Sequence, residues 1–253
     1  FTPKTMNDQG FIKKVSTIGI DFNVIVAYGN ILTNKIINLP KYESLNVHAS
    51  ALPRWRGAAP IQRALLNDDK QTGVSVMRVD QKLDSGPIIL EKKINIQINE
   101  NFESLSKKII MYGKEILKKS IMLVIDNKHD YTYQYSEGIT YAKKIEKTEY
   151  RISWCKSAFE INCQIKAFSP KPGAWTCFRD SESRIKILKS FVIPEKEISD
   201  ASNYHIGEIT KKLQVKCGKD FLEIEIIQKE GKKPTSVKDF INGNQITDFF
   251  FVS

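Results

Sequence analysis

Asn46 and His48 stand two positions apart in residues 45–48, a short run that reads as a strand. Side chains alternate faces along an extended strand, so this carboxamide and imidazole point to the same side. Asp84 opens an Asp-Ser-Gly-Pro turn after a second strand-like run at residues 74–79. Two strand ends thus deliver an amide, an imidazole and a carboxylate to one place. Such a set can present preorganised donors to a developing oxyanion and can move protons, through the imidazole or through a carboxylate acting by way of water. Each residue also has a plainer meaning. An Asn-x-His pair is commonly a satisfied structural pair, and Asp before Ser-Gly is a common turn residue.

The elements that position these residues alternate in the first half. Residues 7–18 read as a helix, 21–28 as an apolar strand of the buried parallel type, and 31–39 as a short helix. A helix from about 59 to 66 carries Pro60 in its first turn, where the missing N–H costs nothing. Strands at 73–80 and 87–96 flank Asp84, and a helix from about 103 to 124 has an apolar stripe with lysines outside. Residues 131–137 read as an extended polar linker, which places a first domain at 1–130 and a second at 138–253. In the latter, Ser157 and Glu160 form a capping-box pattern ahead of a helix to Phe168. Strand-like runs follow at 175–179, 184–193, 206–210, 213–217 and 221–228, the spacing of a compact barrel.

Composition fits a folded enzyme: 253 residues, 41% hydrophobic, enough for two cores. No run approaches the roughly 20 apolar residues of a membrane span, and residues 1–4 show no signal-peptide core, which points to the cytoplasm. Cys155, Cys163, Cys177 and Cys217 lack paired metal-ligand spacing, and His129 and His205 have no second ligand nearby, so no metal is expected. The net charge is +10, which suits a polyanionic partner. It singles out neither half, since 20 basic residues face 15 acidic ones from Gly138 onward and 19 face 14 before it. Paired lysines at 143–144, 211–212 and 232–233 suit a phosphate backbone or a solvated face.

The run from Leu45 to Pro60, with Asp84-Ser85-Gly86 after it, closely resembles the formyltransferases that use 10-formyltetrahydrofolate, above all the branch acting on methionyl-tRNA. The likeness extends over nearly the whole chain. It implies an α/β Rossmann-like formyltransferase domain followed by a small OB-like β-barrel, with 10-formyltetrahydrofolate as donor and initiator methionyl-tRNA as acceptor. It places the family's catalytic residues on Asn46, His48 and Asp84. Folate is expected against Ala27, Tyr28, Gly29, Ser50, Leu52, Pro53, Val79 and Leu83, and tRNA against Arg54, Arg56, Lys143 and Lys144. Trp55 suits either loop anchoring or base stacking. A monomer is implied when full length, with a bacterial-type cytoplasmic location; a mitochondrial enzyme stripped of its targeting segment would read the same. Two other readings share the core. One is a folate-dependent formyltransferase for a nucleotide or amino sugar, which usually lacks the Trp-Arg-Gly-Ala-Ala-Pro-Ile-Gln run at 55–62. The other is a non-catalytic RNA-binding remnant.

Two features depart from the family's pattern. Ala51 stands where Leu is usual, a loss of packing area rather than of chemistry. The likeness also begins at what would be the end of the third strand, without an initiator Met. The expectation is therefore a fragment lacking its first catalytic strands, with an unpaired apolar edge at residues 21–28 and poor stability alone.

Overall fold

The structure, a computed structural model, describes residues 5, 8–29, 32–178, 183–210, 212, 214–242 and 251–252. The readings above that fall on residues 1–4, 7, 31, 179, 211 and 213 lie outside these. Contacts divide the chain into two compact units. One is Phe1–Ile61 with Lys70–Gln97 and Ser106–Lys144; the other is Gln62–Asp69 with Ile98–Leu105 and Ile145–Ser253.

In the first unit, helix α1 (Gln9–Ile18) is opened by Asp8, whose Oδ1 accepts the Phe11 N–H at 2.7 Å. Gly19 closes it at φ +70°. Strand β1 (Phe22–Val26) runs parallel to β2 (Glu43–His48), with the short helix α2 (Asn34–Ile37) between them in sequence. The Asn23 amide ties the three together by donating to the Ile36 carbonyl and to Ser44 Oγ, at 2.8 and 2.9 Å. After β2 come the two-residue strand β3 (Arg56–Gly57) and helix α3 (Pro60–Leu66), whose residues from Gln62 onward belong to the second unit. Strands β4 (Gln71–Arg78) and β5 (Ile88–Asn95) then extend the sheet antiparallel, giving the order β1-β2-β4-β5.

Among the described residues β1 lies at the edge of this sheet, with Val24 and Val26 45% and 60% exposed. It is therefore not buried on both faces as its apolar sequence suggested. Helix α4 (Phe102–Ile125) buries Leu105, Ile109, Ile116 and Val124 on one stripe. It meets the sheet at Gly113, where a Cβ would lie 3.3 Å from Val47 and 3.4 Å from Val74. The absent side chain brings the helix close under the strand that carries His48.

The polar segment after α4 is pinned back to the sheet. Thr132 exchanges both backbone hydrogen bonds with Ile88 at 2.9 Å, and the Tyr131 hydroxyl donates to the Glu43 carboxylate. Burial and that carboxylate push the Tyr131 hydroxyl up to about 12. Strand β6 (Tyr141–Ala142) then pairs in parallel with β3.

In the second unit, helix α5 (Ala158–Phe168) has the expected capping box: Ser157 Oγ accepts the Glu160 N–H, and the Glu160 carboxylate accepts the Ser157 N–H. It packs on a six-stranded antiparallel sheet made of β7 (Ala174–Phe178), β8 (Arg184–Ile193), β9 (Gln214–Lys216), β10 (Phe221–Lys229), β11 (Thr235–Ser236) and β12 (Phe251–Val252). The sheet curls into a half-barrel, with β11-β10-β8-β7-β12 in order and β9 beside β10. Register shifts in β10 near Ile226 accompany the curl. Residues 206–210 form no regular strand; Glu208 and Ile209 are bridge residues, Ile209 against Val215, and Gly207, Glu208 and Thr210 share backbone hydrogen bonds with Lys216 and Gln214. Trp154 is fully buried, and its Nε1–H donates to Thr176 Oγ1 at 3.1 Å.

Arg63 of α3 binds Glu149 through two hydrogen bonds of 2.6 and 2.9 Å. These bonds hold the Glu149 carboxyl below the usual carboxylate range. A lowered carboxylate pKa gives stability that is present above the ordinary value and lost as pH falls through the folded one. Arg63→Met is thus expected to lower the melting temperature near pH 7, with the gap to the unaltered protein closing on acidification below about pH 4. Thermal melts across pH check this.

Candidate active site

Strand β2 places Asn46 and His48 on one face, and both reach the same carboxylate. Asn46 Nδ2 donates to Asp84 Oδ1 at 3.1 Å, and His48 Nδ1 lies 3.6 Å from Asp84 Oδ2. The Gly57 N–H donates to Oδ2 at 2.8 Å. The side chains of His48 and Asp84 are 7% and 11% exposed, so their interaction is only weakly screened by water. The other imidazole nitrogen, Nε2, lies 2.8 Å from the Trp55 carbonyl. A carbonyl can only accept, so Nε2 carries the hydrogen. The Trp55 carbonyl thus fixes one side of the ring, and the Asp84 carboxylate faces the other nitrogen at 3.6 Å, a charge-pair rather than a hydrogen-bond distance. Asn46 keeps a second amide hydrogen beyond the one given to Asp84.

The turn at residues 49–57 is built around His48. Ser50 is buried; its Oγ donates to the Arg54 carbonyl at 2.6 Å, and its own carbonyl accepts the Ser75 hydroxyl at 2.8 Å. Trp55 sits at φ +62°, with its N–H on Thr140 Oγ1 at 2.9 Å. Thr140 also accepts the Arg56 N–H at 2.9 Å through its carbonyl. Leu52 is buried with Met77 and Ile88, and Pro53 follows it through a cis peptide. Ser50 and Leu52 therefore scaffold the turn from within.

Of the other residues singled out from the sequence, Ala27, Tyr28 and Gly29 follow β1 at the end of the parallel pair that also carries His48. Ala27 is left-handed at φ +50°, and Tyr28 is 38% exposed. Leu83 is 57% exposed, open to a ligand. Val79 lines a cavity of 480 Å³ with Asn34, Asn38, Glu43, Arg78 and Gln81, whereas Ala27, Tyr28 and Gly29 are not on its wall. Arg54 stacks its guanidinium 4.6 Å from the Trp55 ring, and Lys143 and Lys144 are exposed after β6. Arg56, expected at a tRNA surface, is buried instead. Its Nε and Nη2 donate to Gln134 Oε1 at 3.0 and 2.7 Å, because β3 is paired with β6 and turns the side chain inward. Gln134 and Ser75 were not legible as site residues. The first lay in a stretch read as linker, and the second in the interior of a strand.

A buried carboxylate held against an amide and an imidazole, at the ends of strands in a helix-backed sheet, is the arrangement of a group-transfer enzyme in the formyltransferase class. Residues 1–121 match the formyl transferase family, and residues 144–245 match the formyl transferase C-terminal domain. The methionyl-tRNA formyltransferase of Bartonella henselae is 37% identical over 99% of this chain and 80% of its own length. That of Thermodesulfovibrio yellowstonii is 38% identical over 97% of this chain and 78% of its own. The solved structure of WlaRD, a sugar 3N-formyltransferase, superposes with a TM-score of 0.61 at 26% identity, covering 85% of this chain and 73% of that one. HypX from Aquifex aeolicus shares the fold, with a TM-score of 0.67 at 13% identity over 93% of this chain and 42% of that one. The chain belongs to the methionyl-tRNA formyltransferase family.

Gly86 follows Asp84 by two positions, and a Cβ there would collide with the Arg78 carbonyl. Gly86→Ala must therefore displace the Asp84 loop. The expected result is a loss of about 100-fold in formyl transfer, the scale of a 1 Å misplacement, with the melting temperature changing far less; rate assays and thermal melts on the purified variant check both.

Proposed function

We propose that Asn46, His48 and Asp84 transfer the formyl group of 10-formyltetrahydrofolate to the α-amino group of initiator methionyl-tRNA. The amine attacks the formyl carbon and the carbonyl oxygen becomes an oxyanion; the new ammonium sheds one proton, and collapse reforms the carbonyl, breaks the bond to the folate nitrogen and leaves one proton on that nitrogen. The free amide hydrogen of Asn46 meets the formyl oxygen. His48 turns its Nε2–H from the Trp55 carbonyl to hydrogen-bond the same oxygen. Asp84 orients the ring and compensates positive charge on it, and through water the His48–Asp84 pair passes the proton shed by the amine to the folate nitrogen. Fixed donors of this kind, aimed at the developing oxyanion, usually account for the largest share of the rate enhancement in acyl transfer.

The convergence of Asn46 and His48 on the Asp84 carboxylate, at 3.1 and 3.6 Å, carries this reading. The choice of acceptor rests on the relatives. Identity of 36–38% spans nearly the whole chain for methionyl-tRNA formyltransferases, against 26% for the sugar enzyme. WlaRD was solved in the presence of 5-N-formyltetrahydrofolate and dTDP, which supports a folate donor here and supplies the competing acceptor class. The folate is placed against Ala27, Tyr28, Gly29, Val79 and Leu83, with Ser50, Leu52 and Pro53 shaping the floor. Arg54, Lys143 and Lys144 face the tRNA; Arg56 serves the site from within.

The test is formyl transfer from 10-formyltetrahydrofolate to methionyl-tRNA, with a dTDP-amino sugar as the competing acceptor. Transfer to the tRNA is expected, with His48→Ala slower by about two orders of magnitude or more, as for loss of an oxyanion donor. Formylation of the sugar alone would refute the acceptor assignment, and an unaltered rate in His48→Ala would refute the site.

A further inference from the structure

Gln134 has all four hydrogen-bonding positions of its amide filled. Oε1 accepts from Arg56 Nε and Nη2, at 3.0 and 2.7 Å. Nε2 donates to the backbone carbonyls of Asp84 and Gly86, at 3.0 and 2.8 Å. A guanidinium has no acceptor, so the amide can face it only with its oxygen, and the two donors necessarily point at the loop. Asp84 sits at φ +45°, a region that a residue other than glycine keeps only where its surroundings hold it. Gly57, whose N–H holds Asp84 Oδ2 at 2.8 Å, directly follows Arg56. Gln134 thus grips Asp84 from both ends: its carbonyl directly, and its carboxylate through the chain that carries Arg56 and Gly57.

We propose that Gln134 is a positioning residue for the formyl transfer, holding Asp84 in its left-handed conformation so that the carboxylate faces His48. The proposal rests on the reading of Asp84 as the group that orients His48. It adds a residue from a segment that is 50 positions away from Asp84 in the chain and does not itself touch the catalytic side chains.

Gln134→Glu separates the two halves of the grip. It keeps an oxygen for Arg56 but turns the donor into an oxygen facing two carbonyls. Steady-state formyl transfer from 10-formyltetrahydrofolate to methionyl-tRNA is measured against pH for the unaltered enzyme, Gln134→Glu, Gln134→Ala, Asp84→Asn and the double variant Asp84→Asn/Gln134→Glu. The expected result for Gln134→Glu is a fall in kcat of about 10- to 100-fold, with KM for both substrates little changed and a pH profile moved toward that of Asp84→Asn. The double variant should be no slower than Asp84→Asn alone, since both changes act on one group. An unaltered kcat in Gln134→Glu, or losses that multiply in the double variant, would overturn the proposal. Should circular dichroism show Gln134→Glu unfolded, Gln134→Ala decides: a lower kcat at unchanged KM supports the role, and an unchanged kcat removes it. Full activity in Asp84→Asn would overturn the reading of Asp84 itself, a failure visible in that variant alone.

Discussion

One carboxylate organises this site. Asp84 receives the Asn46 amide on one oxygen and the Gly57 N–H on the other, and the latter oxygen also faces the His48 imidazole. To do so its backbone adopts φ +45°, a conformation that costs a residue other than glycine about 1–3 kcal/mol. Asp is among the few side chains that tolerate it. The strain is held by neighbours that allow no alternative. Gly86 must lack a Cβ for the loop to pass the Arg78 carbonyl, and the Gln134 amide takes the carbonyls of both Asp84 and Gly86. A site held this way is rigid before substrate arrives, which is what oxyanion stabilisation requires.

The second constraint is the buried guanidinium of Arg56. Among the described residues no carboxylate pairs with it; a neutral amide oxygen accepts two of its hydrogens. Burying a charge without a counter-charge is costly. A carboxylate at position 134, however, would satisfy Arg56 and repel the two loop carbonyls. The amide is the side chain that presents an acceptor to one partner and two donors to the other. The short β3–β6 pairing fixes where these partners meet.

The donor and acceptor of the reaction are read at different scales. The sheet that carries Asn46 and His48 belongs to a fold shared by enzymes with different acceptors, as the superposition on a sugar formyltransferase shows. Fold does not decide acceptor. Identity to methionyl-tRNA formyltransferases of 37% over 99% of this chain, against 26% for the sugar enzyme, is what separates the two acceptor classes here. The net charge of +10 suits a nucleic acid, but its even division between the halves means that it does not point to one surface.

The sequence by itself determined the chemistry and most of the local structure. Asn46 and His48 share a face because a strand has a period of two. The α5 capping box, the Pro60 start of α3 and the α4 stripe follow equally from short-range rules. Tertiary structure decided which partner each polar group takes. Asp84 meets Asn46 across 38 residues, and Gln134 meets Arg56 across 78; no local pattern encodes such distances. It therefore turned Arg56 from an expected surface charge into a buried one and made part of an apparent linker a wall of the site. It also left β1 half exposed, and residues 206–210 without a strand, where apolar patterning alone suggested otherwise. Hydrogen bonds between distant segments form only where packing brings their donors and acceptors together, and packing is a property of the whole fold.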